Sequence, residues 1–354
     1  MEWQTIIRSG DQRASFVQRH FLWLLLACYA LATVWPDPGL KMHDWRWPVA
    51  LDGNGHVTFP LLLLAWMLFC AAVMTDLGQI RAVLRRPLVL CVAIVAVWAG
   101  PAMLVVVAGW IVPRLIDDPA RGGLLVGLAL VASMPVANSS VGWVQSAGGN
   151  LALGLALVVL SISLSPWVTP QLLAWLGMSL SPDARVQCER LVNHYSGWFF
   201  VIWVILPTAL GFVCRGLITP RRAESAAGWF TLASAAALLL LNFISSSLAL
   251  PTASRSQAAL LVTAALLAIA LSAVGLALGW LIGHGLRLPQ EERSALSFGL
   301  SMKHTGLALV LTEAVLTDKK LAILLIVLAT LAQHMLAGLV QWMQCRRASP
   351  PLAA

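Results

Sequence analysis

The chain has 354 residues, of which 59% are hydrophobic and only 11% are charged, and its mean hydropathy is +0.83. Because about a quarter of the residues of a soluble domain are charged, this composition excludes a soluble protein and indicates an all-α polytopic membrane protein. The long continuous apolar runs also exclude a transmembrane β-barrel, whose strands alternate over about ten residues. The net charge of +8 fits loops beside anionic lipid and needs no nucleic-acid partner.

Apolar runs bounded by charges or proline predict ten membrane spans. They lie at residues 20–36, 57–77, 88–113, 122–145, 151–178, 196–216, 227–250, 257–286, 293–316 and 320–343. No small-residue cleavage site follows the first run, so we expect no cleaved signal peptide. Lys and Arg are more frequent in the predicted loops on the side of the N-terminus, which favours an inner-membrane protein with both termini in the cytoplasm. Tryptophans near span ends are interpreted as lipid-facing anchors: Trp35, Trp45, Trp47, Trp110, Trp143, Trp198 and Trp342.

The ten spans divide into two halves of five, residues 1–180 and 181–354, within a single membrane domain. An odd number of spans in each half gives the halves opposite orientations. The fourth and ninth spans occupy corresponding places, and each contains Ser-Met, a polar cluster and glycine, in SMPVANSSVG (residues 133–142) and SMKHTG (residues 301–306). Pro135 removes a backbone donor and disfavours helix at Met134. This pattern predicts an inverted repeat whose discontinuous helices meet at the membrane midplane.

Lys303 and His304 lie in the middle of the apolar segment 294–315. A cation near the bilayer centre costs about 3 kcal/mol, even on the most lenient insertion scales. With about ten helical residues on either side, Lys303 does not reach either membrane surface. We therefore expect Lys303 to face protein or a watery cavity. The alternatives to a functional role are a salt bridge that only holds helices together for Lys303 and a packing role for His304.

Two motif stretches resemble the bile acid:sodium symporter family. They are P-x-x-N-S-S-x-G…GGN-L-A-L…S-x-S-P-W-V-T-P over residues 135–170 and S-M-K-H-T-G-L-A over residues 301–308. The resemblance implies ten helices in two inverted five-helix repeats, arranged as a panel and a core, with the fourth and ninth helices broken and crossing in the core. It also implies sodium ions behind the crossover and an organic anion in front of it.

The positions that correspond to the family's sodium ligands differ in this chain. The family's ninth-helix Glu and Gln fall on Gly299 and Lys303, and its Ser-Asn pair falls on Ser140 and Val141. The remaining ligand positions fall on Ala96, Gly154 and Val158. Because only Ser140 keeps an oxygen, we expect no sodium site. The six cysteines form no CxxC or Cys/His cluster, so we expect no metal and no cofactor.

The chain is therefore predicted to be a sodium-independent secondary transporter of a small organic anion, with Lys303 in place of the bound cation. The residues expected at the crossover and substrate site are Pro135, Asn138, Ser139, Ser140, Lys303, His304 and Thr305. Lys303 and His304 are also the candidates for coupling. A permanently charged Lys303 would give an ion-independent carrier, whereas a Lys303 that releases its proton in one state, alone or with His304, would give proton coupling.

Other functions are weighed on the same residues. An arsenite-type permease would want a thiol in the fourth span, and no cysteine occurs between Cys91 and Cys188. A cation/proton antiporter would place acidic residues at the crossing, and neither motif there contains one. An intramembrane enzyme or sensor using Ser140 and Lys303 stays as an alternative, but no nucleophile turn or oxyanion motif supports catalytic residues. A sodium-coupled symporter with a displaced ion site is the other alternative. The oligomeric state is left open.

Polar residues elsewhere in the spans have more ordinary interpretations. Asn242 and residues 245–247 are expected to form hydrogen bonds between helices. Gln333 and His334 are candidates for lining the transport path. Glu313, near the outer end of the ninth span, is interpreted as an interfacial residue, with a gate or proton role as the alternative.

Overall fold

The computed structural model describes residues 20–47, 57–75, 86–195, 198–253, 258–316 and 320–348. These residues are almost entirely helical, apart from two short antiparallel strands, β1 (Arg46–Trp47) and β2 (Val57–Thr58). The helices in chain order are α1 (His20–Val34), α2 (Asp37–Asp44), α3 (Phe59–Met74), α4 (Pro87–Leu115), α5 (Arg121–Ser133), α6 (Ser139–Ser146), α7 (Leu151–Met178), α8 (Pro182–Tyr195), α9 (Trp198–Leu217), α10 (Pro220–Ala253), α11 (Ala258–Gly285), α12 (Gln290–Ser301), α13 (Thr305–Val315) and α14 (Lys320–Ala348).

Within the described ranges, six helices are long and apolar enough to cross a membrane: α4, α7, α9, α10, α11 and α14. Helices α1 and α2 are bent by 92° and make a seventh span if they are taken together. Helices α3, α5 and α13 are shorter apolar helices. Large apolar side chains such as Val95, Met103 and Leu266 are more than half exposed on the long helices, as expected for surfaces that face lipid. The predicted all-α polytopic membrane protein is confirmed.

Helix α8 was not predicted, because it lies in the segment interpreted as the loop after the fifth span. Its apolar residues nevertheless recur at helical spacing, at Ala184, Cys188, Leu191 and Tyr195, and all four are buried. Asp183 in the first turn suits the positive end of the helix dipole. The helix packs its apolar face against α5, α7 and α13.

The helices fall into two packing groups. Helix α3 packs mainly against α9 and α10, whereas α4, α5, α11, α12 and α14 pack mainly against one another. Helices α7 and α13 pack more against this second group than against the first. In the second group, a Cβ atom at Gly275 of α11 would lie 2.4 Å from the carbonyl oxygen of Leu300, so α11 and the end of α12 meet backbone to backbone. Helices α5 and α13 are buried along almost their whole length. Such all-round burial is typical of helices at the centre of a protein.

Candidate functional site

Two extended segments interrupt the buried helices at the centre of the molecule. The first linker (residues 134–138) separates α5 from α6, and the second linker (residues 302–304) separates α12 from α13. Met134 and Met302 both have extended backbone angles. In the first linker, Pro135 lacks the N–H that would continue α5 and disfavours helical angles at the preceding residue.

The two linkers lie side by side and satisfy each other's backbone groups. Val136 and Lys303 form an antiparallel bridge. The amide of Ala137 donates to the Met302 carbonyl oxygen at 3.0 Å, and the amide of His304 donates to the Pro135 carbonyl oxygen at 2.9 Å. Backbone groups freed from a helix inside a membrane need such partners, because no bulk water reaches them. This pairing makes a short two-stranded contact between four helix ends.

Neighbouring helices hold the paired linkers in place through side chains. The Ser161 hydroxyl on α7 accepts from the Val136 amide at 3.0 Å, and Gln333 Oε1 on α14 accepts from the Lys303 amide at 3.1 Å. The carbonyl of Ser133, at the end of α5, accepts from Trp98 Nε1 at 3.0 Å and from the Thr169 hydroxyl at 2.7 Å. The linkers are therefore fixed from three sides.

The ammonium group of Lys303 is buried and bound by backbone carbonyls. The residue is 2% exposed, and Nζ donates to the Met134 carbonyl at 3.0 Å and to the Val97 carbonyl on α4. The Val97 carbonyl is free because its helical partner, four residues later, is Pro101, which has no N–H. No described carboxylate forms a salt bridge with Lys303. The charge is therefore held by dipoles rather than by a counterion.

His304 and Thr305 begin the helix that follows the second linker. His304 is 3% exposed, and its Nδ1 accepts from the Leu307 amide at 3.1 Å, which caps the first turn of α13. Thr305 is buried as the first residue of that helix. Gly306 faces side chains of α3 and α10 at van der Waals distance. This half-helix thus joins the linkers to the other packing group.

At the end of the first linker and the start of α6, two polar side chains lack, among the described residues, the hydrogen-bond partners that Lys303 and His304 have. Asn138 is half-buried, but neither its amide nitrogen nor its amide oxygen has a hydrogen-bond partner within the described ranges. The Ser140 hydroxyl is likewise buried and unpartnered, and Ser139 is half-buried. Because Lys303 Nζ donates to carbonyls and Ser140 Oγ has no partner, these two groups do not form a hydrogen-bonded dyad.

Asn138 lines a narrow crevice between the two packing groups. The crevice has a volume of about 30 Å³ and lies between α3, α7 and α9. Most of its wall is apolar, with hydroxyl groups from Thr75, Ser163 and Thr208. Of the seven residues predicted for the site, Asn138 is the one that borders this space, while Pro135, Lys303, His304 and Thr305 lie together at the paired linkers.

Four of the residues at the family's sodium-ligand positions pack among apolar neighbours. A Cβ atom at Gly299 would lie 2.8 Å from the Leu157 side chain, and Gly154 faces Val144. Ala96 and Val158 are buried apolar residues. Among the residues that the structure describes, no group of three or more His, Cys, Asp or Glu side chains could hold a metal ion.

Sequence reasoning missed the contact between Trp143 and His334. Trp143 was interpreted as a lipid-facing anchor, but its Nε1 donates to His334 Nδ1 at 3.1 Å and its ring stacks on Phe298. Because an indole N–H only donates, His334 carries its hydrogen on Nε2, which is buried and has no partner in the described part of the chain. The anchors Trp35, Trp45, Trp110, Trp198 and Trp342 are each more than half exposed, as predicted.

Comparison with known proteins agrees with this architecture. The family model described as the SBF-like CPA transporter family matches residues 19–343. A protein of Bacillus subtilis (strain 168) that bears the name Uncharacterized protein YbaS is 24% identical over 306 residues, which cover 84% of this chain and 92% of that protein. The resemblance to bile acid:sodium symporters is confirmed at the level of the family. The chain belongs to the SBF-like CPA transporter family and is a multi-pass membrane transporter.

Proposed function

We propose that this protein is a sodium-independent secondary transporter of small organic anions, which works by alternating access with the Lys303 ammonium in place of a bound cation. The observation that carries the proposal is the pair of hydrogen bonds from Lys303 Nζ to the carbonyls of Met134 and Val97. Both carbonyls lack helical donors, one because α5 ends and the other because of Pro101. Carbonyl oxygens are also the groups that coordinate cations at unwound transporter helices.

The charge of the site supports an anion as the substrate. Within the described ranges, neutral carbonyl dipoles and no carboxylate bind the buried Lys303 ammonium group, which leaves a net positive charge at the paired linkers. Helices α6 and α13 both begin there, and the N-terminal end of a helix adds partial positive charge. A substrate with a carboxylate or sulfonate group would balance this charge.

The unpartnered polar groups support a position for the substrate. The Asn138 amide, the Ser140 hydroxyl and the Nε2–H of His334 are buried atoms without partners in the described ranges, and leaving such groups unpaired costs about 1–3 kcal/mol each. A bound anion would accept from them beside Ser139, His304 and Thr305. The crevice that Asn138 borders is the proposed route to this position.

The proposed architecture has ten spans in two inverted repeats, residues 1–180 and 181–354. The interrupted pairs α5/α6 and α12/α13 would be the fourth and ninth spans, and they occupy corresponding places in the two halves. Helices α1, α3, α9 and α10 would form the panel, and the other membrane helices the core. The excess of Lys and Arg on one side supports an inner-membrane location with both termini in the cytoplasm. Two mechanisms are proposed for Lys303 and His304: a permanently charged Lys303 gives an ion-independent carrier, and a proton released by Lys303, alone or with His304, gives proton coupling.

Uptake by proteoliposomes tests this function. The vesicles would be offered labelled monocarboxylates and alkyl sulfonates, with sodium replaced by potassium. We expect uptake of at least one of these anions, unchanged by the replacement and lost in Lys303→Gln, whereas the control Lys320→Gln, at an exposed lysine, keeps it. Uptake that stops without sodium, or that persists in Lys303→Gln, would contradict the proposal.

A further inference from the structure

Another buried ionisable residue, Glu313, lies away from the paired linkers, near the end of α13. Glu313 is 6% exposed, and its Oε1 lies 2.5 Å from the Ser245 hydroxyl on α10. Its other oxygen, Oε2, is buried and has no partner among the described residues. The contact joins α13 to α10, and so it joins the two packing groups of the fold.

The two contacts of the Ser245 hydroxyl are satisfied together when Glu313 carries a hydrogen. The Ser245 hydroxyl lies 2.9 Å from the Leu241 carbonyl, four residues earlier in α10, as well as 2.5 Å from Glu313 Oε1. A serine hydroxyl has one hydrogen, and the carbonyl can only accept. If Ser245 donates to Leu241, Glu313 must donate to Ser245, which requires a protonated carboxyl group. A neutral acid also reduces the cost of leaving Oε2 buried without a donor.

The surroundings of Glu313 provide little positive charge to hold it as a carboxylate. His43 on α2 is the described titratable group with an electrostatic interaction with Glu313, and it also contacts Asp44 at 3.1 Å. Helix α3 has no charged residue, and Arg121 of α5 pairs with Asp117. The charged side chains that the structure describes on the remaining neighbours, α8 and α14, are exposed: Asp183, Arg185, Glu189, Arg190 and Lys320. The charged groups described on α10 lie in its first turns, far from Ser245 along the helix.

Glu313 and the crevice lie at opposite ends of α3. Helix α2 packs on α10 beside Ser245, because a Cβ atom at Gly39 would collide with the Ser247 side chain, and β2 leads from this end directly into α3. The crevice reaches Thr75, after the other end of α3. The Ser245–Glu313 contact therefore closes the end of the molecule that is remote from the crevice.

We propose that Glu313 is a proton-binding site whose protonated form holds the α2 end of the transport path closed through Ser245. The role in transport rests on the proposed function, whereas the proton site itself does not. When α13 separates from α10, water reaches the carboxyl group, the Oε1–H bond of the acid breaks, the proton passes to that water and a carboxylate remains. Closing this end again then requires a proton from the same side. The conformational change thus moves one proton without any change at Lys303.

Infrared spectroscopy of the purified protein tests the proton site without a substrate. We expect the carbonyl-stretch band of a protonated carboxylic acid in the unmodified protein at neutral pH. It should be lost in Glu313→Gln and shifted in Ser245→Ala, which removes the hydrogen-bond acceptor. The control Glu189→Gln changes an exposed glutamate and should leave the band unchanged. A band that is absent at neutral pH, or unaffected by Glu313→Gln, would overturn the proposal.

Proteoliposomes then test the coupling, with whichever labelled carboxylate or sulfonate the unmodified protein takes up. A glutamine mimics the protonated acid, so Glu313→Gln should keep exchange of internal for external anion while losing accumulation driven by a pH gradient. Accumulation equal to that of the unmodified protein would overturn the coupling role and leave the anion transporter intact. If no anion is taken up but the infrared band behaves as expected, the proposed function fails and the proton site stands.

Discussion

The two linkers at the centre of the molecule differ in whether their polar side chains have hydrogen-bond partners. In the second linker, Lys303 and His304 both have hydrogen-bond partners, and these partners come from α4, the first linker and α13. At the end of the first linker and the start of α6, the side chains of Asn138 and Ser140 have none among the described residues. Under the proposed function, the second linker sets the geometry and charge of the site, while Asn138 and Ser140 are the groups that a ligand would use.

This difference predicts two kinds of variant. Substitutions at the second linker should lower stability and transport together, because they leave protein groups unpaired. Substitutions at unpartnered groups of the first should lower transport alone.

Lys303→Ala should have the largest effect on both properties. It leaves the carbonyls of Met134 and Val97 buried without a donor, at about 1–3 kcal/mol each, and relief of the buried ammonium offsets part of this cost. We expect a lower midpoint of thermal unfolding, followed by tryptophan fluorescence, and loss of anion uptake. Lys320→Ala, at an exposed lysine, is the matched control. A variant as stable and as active as the unmodified protein would remove the distinction between the linkers.

Asn138→Ala and Asn150→Ala should separate the two properties. Asn138 has no side-chain partner among the described residues, so its loss should reduce anion uptake about tenfold or more, which corresponds to about 1.4 kcal/mol, with little change in thermal unfolding. Asn150 caps α7 by accepting from the Leu153 amide at 3.1 Å, and its loss should cost about 1 kcal/mol of stability. Its uptake per folded protein should remain normal. The reverse pattern would show that Asn138 is a structural residue.

Pro101→Ala tests why the Val97 carbonyl is available to Lys303. An alanine N–H would compete for that carbonyl and restore a helical hydrogen bond in α4. We expect a several-fold decrease in uptake without loss of thermal stability. The control is Pro113→Ala, at the other proline inside α4, whose carbonyl partner is not part of the site. Equal uptake by both variants would mean that the free carbonyl is not needed.

Trp143→Phe should have the smallest effect. The ring packing against Phe298 and His334 is largely kept, and only the hydrogen bond to His334 Nδ1 is removed, at about 1 kcal/mol. We expect a change of a few-fold in the apparent affinity for the anion, measured by uptake at graded concentrations. Trp110→Phe, at an exposed tryptophan, should change nothing. A complete loss of transport would assign Trp143 a larger role than that of orienting His334.

The breaks between α5 and α6 and between α12 and α13 were predictable because their causes are local. Pro135 cannot continue a helix, and a lysine at the centre of an apolar segment has no membrane surface within reach. The partners of Lys303 were only partly predictable. The contact of Lys303 with the Met134 carbonyl is expected once the two interruptions are paired. The contact with the Val97 carbonyl depends on how α4 packs against them. Pro101, visible in the sequence, frees that carbonyl without indicating which donor will use it.

Contacts between distant segments were beyond local reasoning. The position of Trp143 near a predicted span end favoured lipid, and only the packing of α6 against α14 brings its indole to His334. The helical spacing of the apolar residues in α8 could have predicted this helix, but the charged residues between them favoured a loop. The carboxyl group of Glu313 was placed near the membrane surface, yet the fold buries it against Ser245.

Whether Lys303 replaces a bound sodium ion is tested most directly by a sodium titration of thermal unfolding in the purified protein. Potassium replaces sodium in this titration, so that the ionic strength stays constant. An ion that binds the folded protein stabilises it by about 2.7 kcal/mol at a hundred times its Kd, and this needs no knowledge of the substrate. With Lys303 in place of the cation, we predict the same unfolding midpoint at every sodium concentration. A midpoint that rises steadily with sodium in the unmodified protein would show that an ion binds, and would contradict the account.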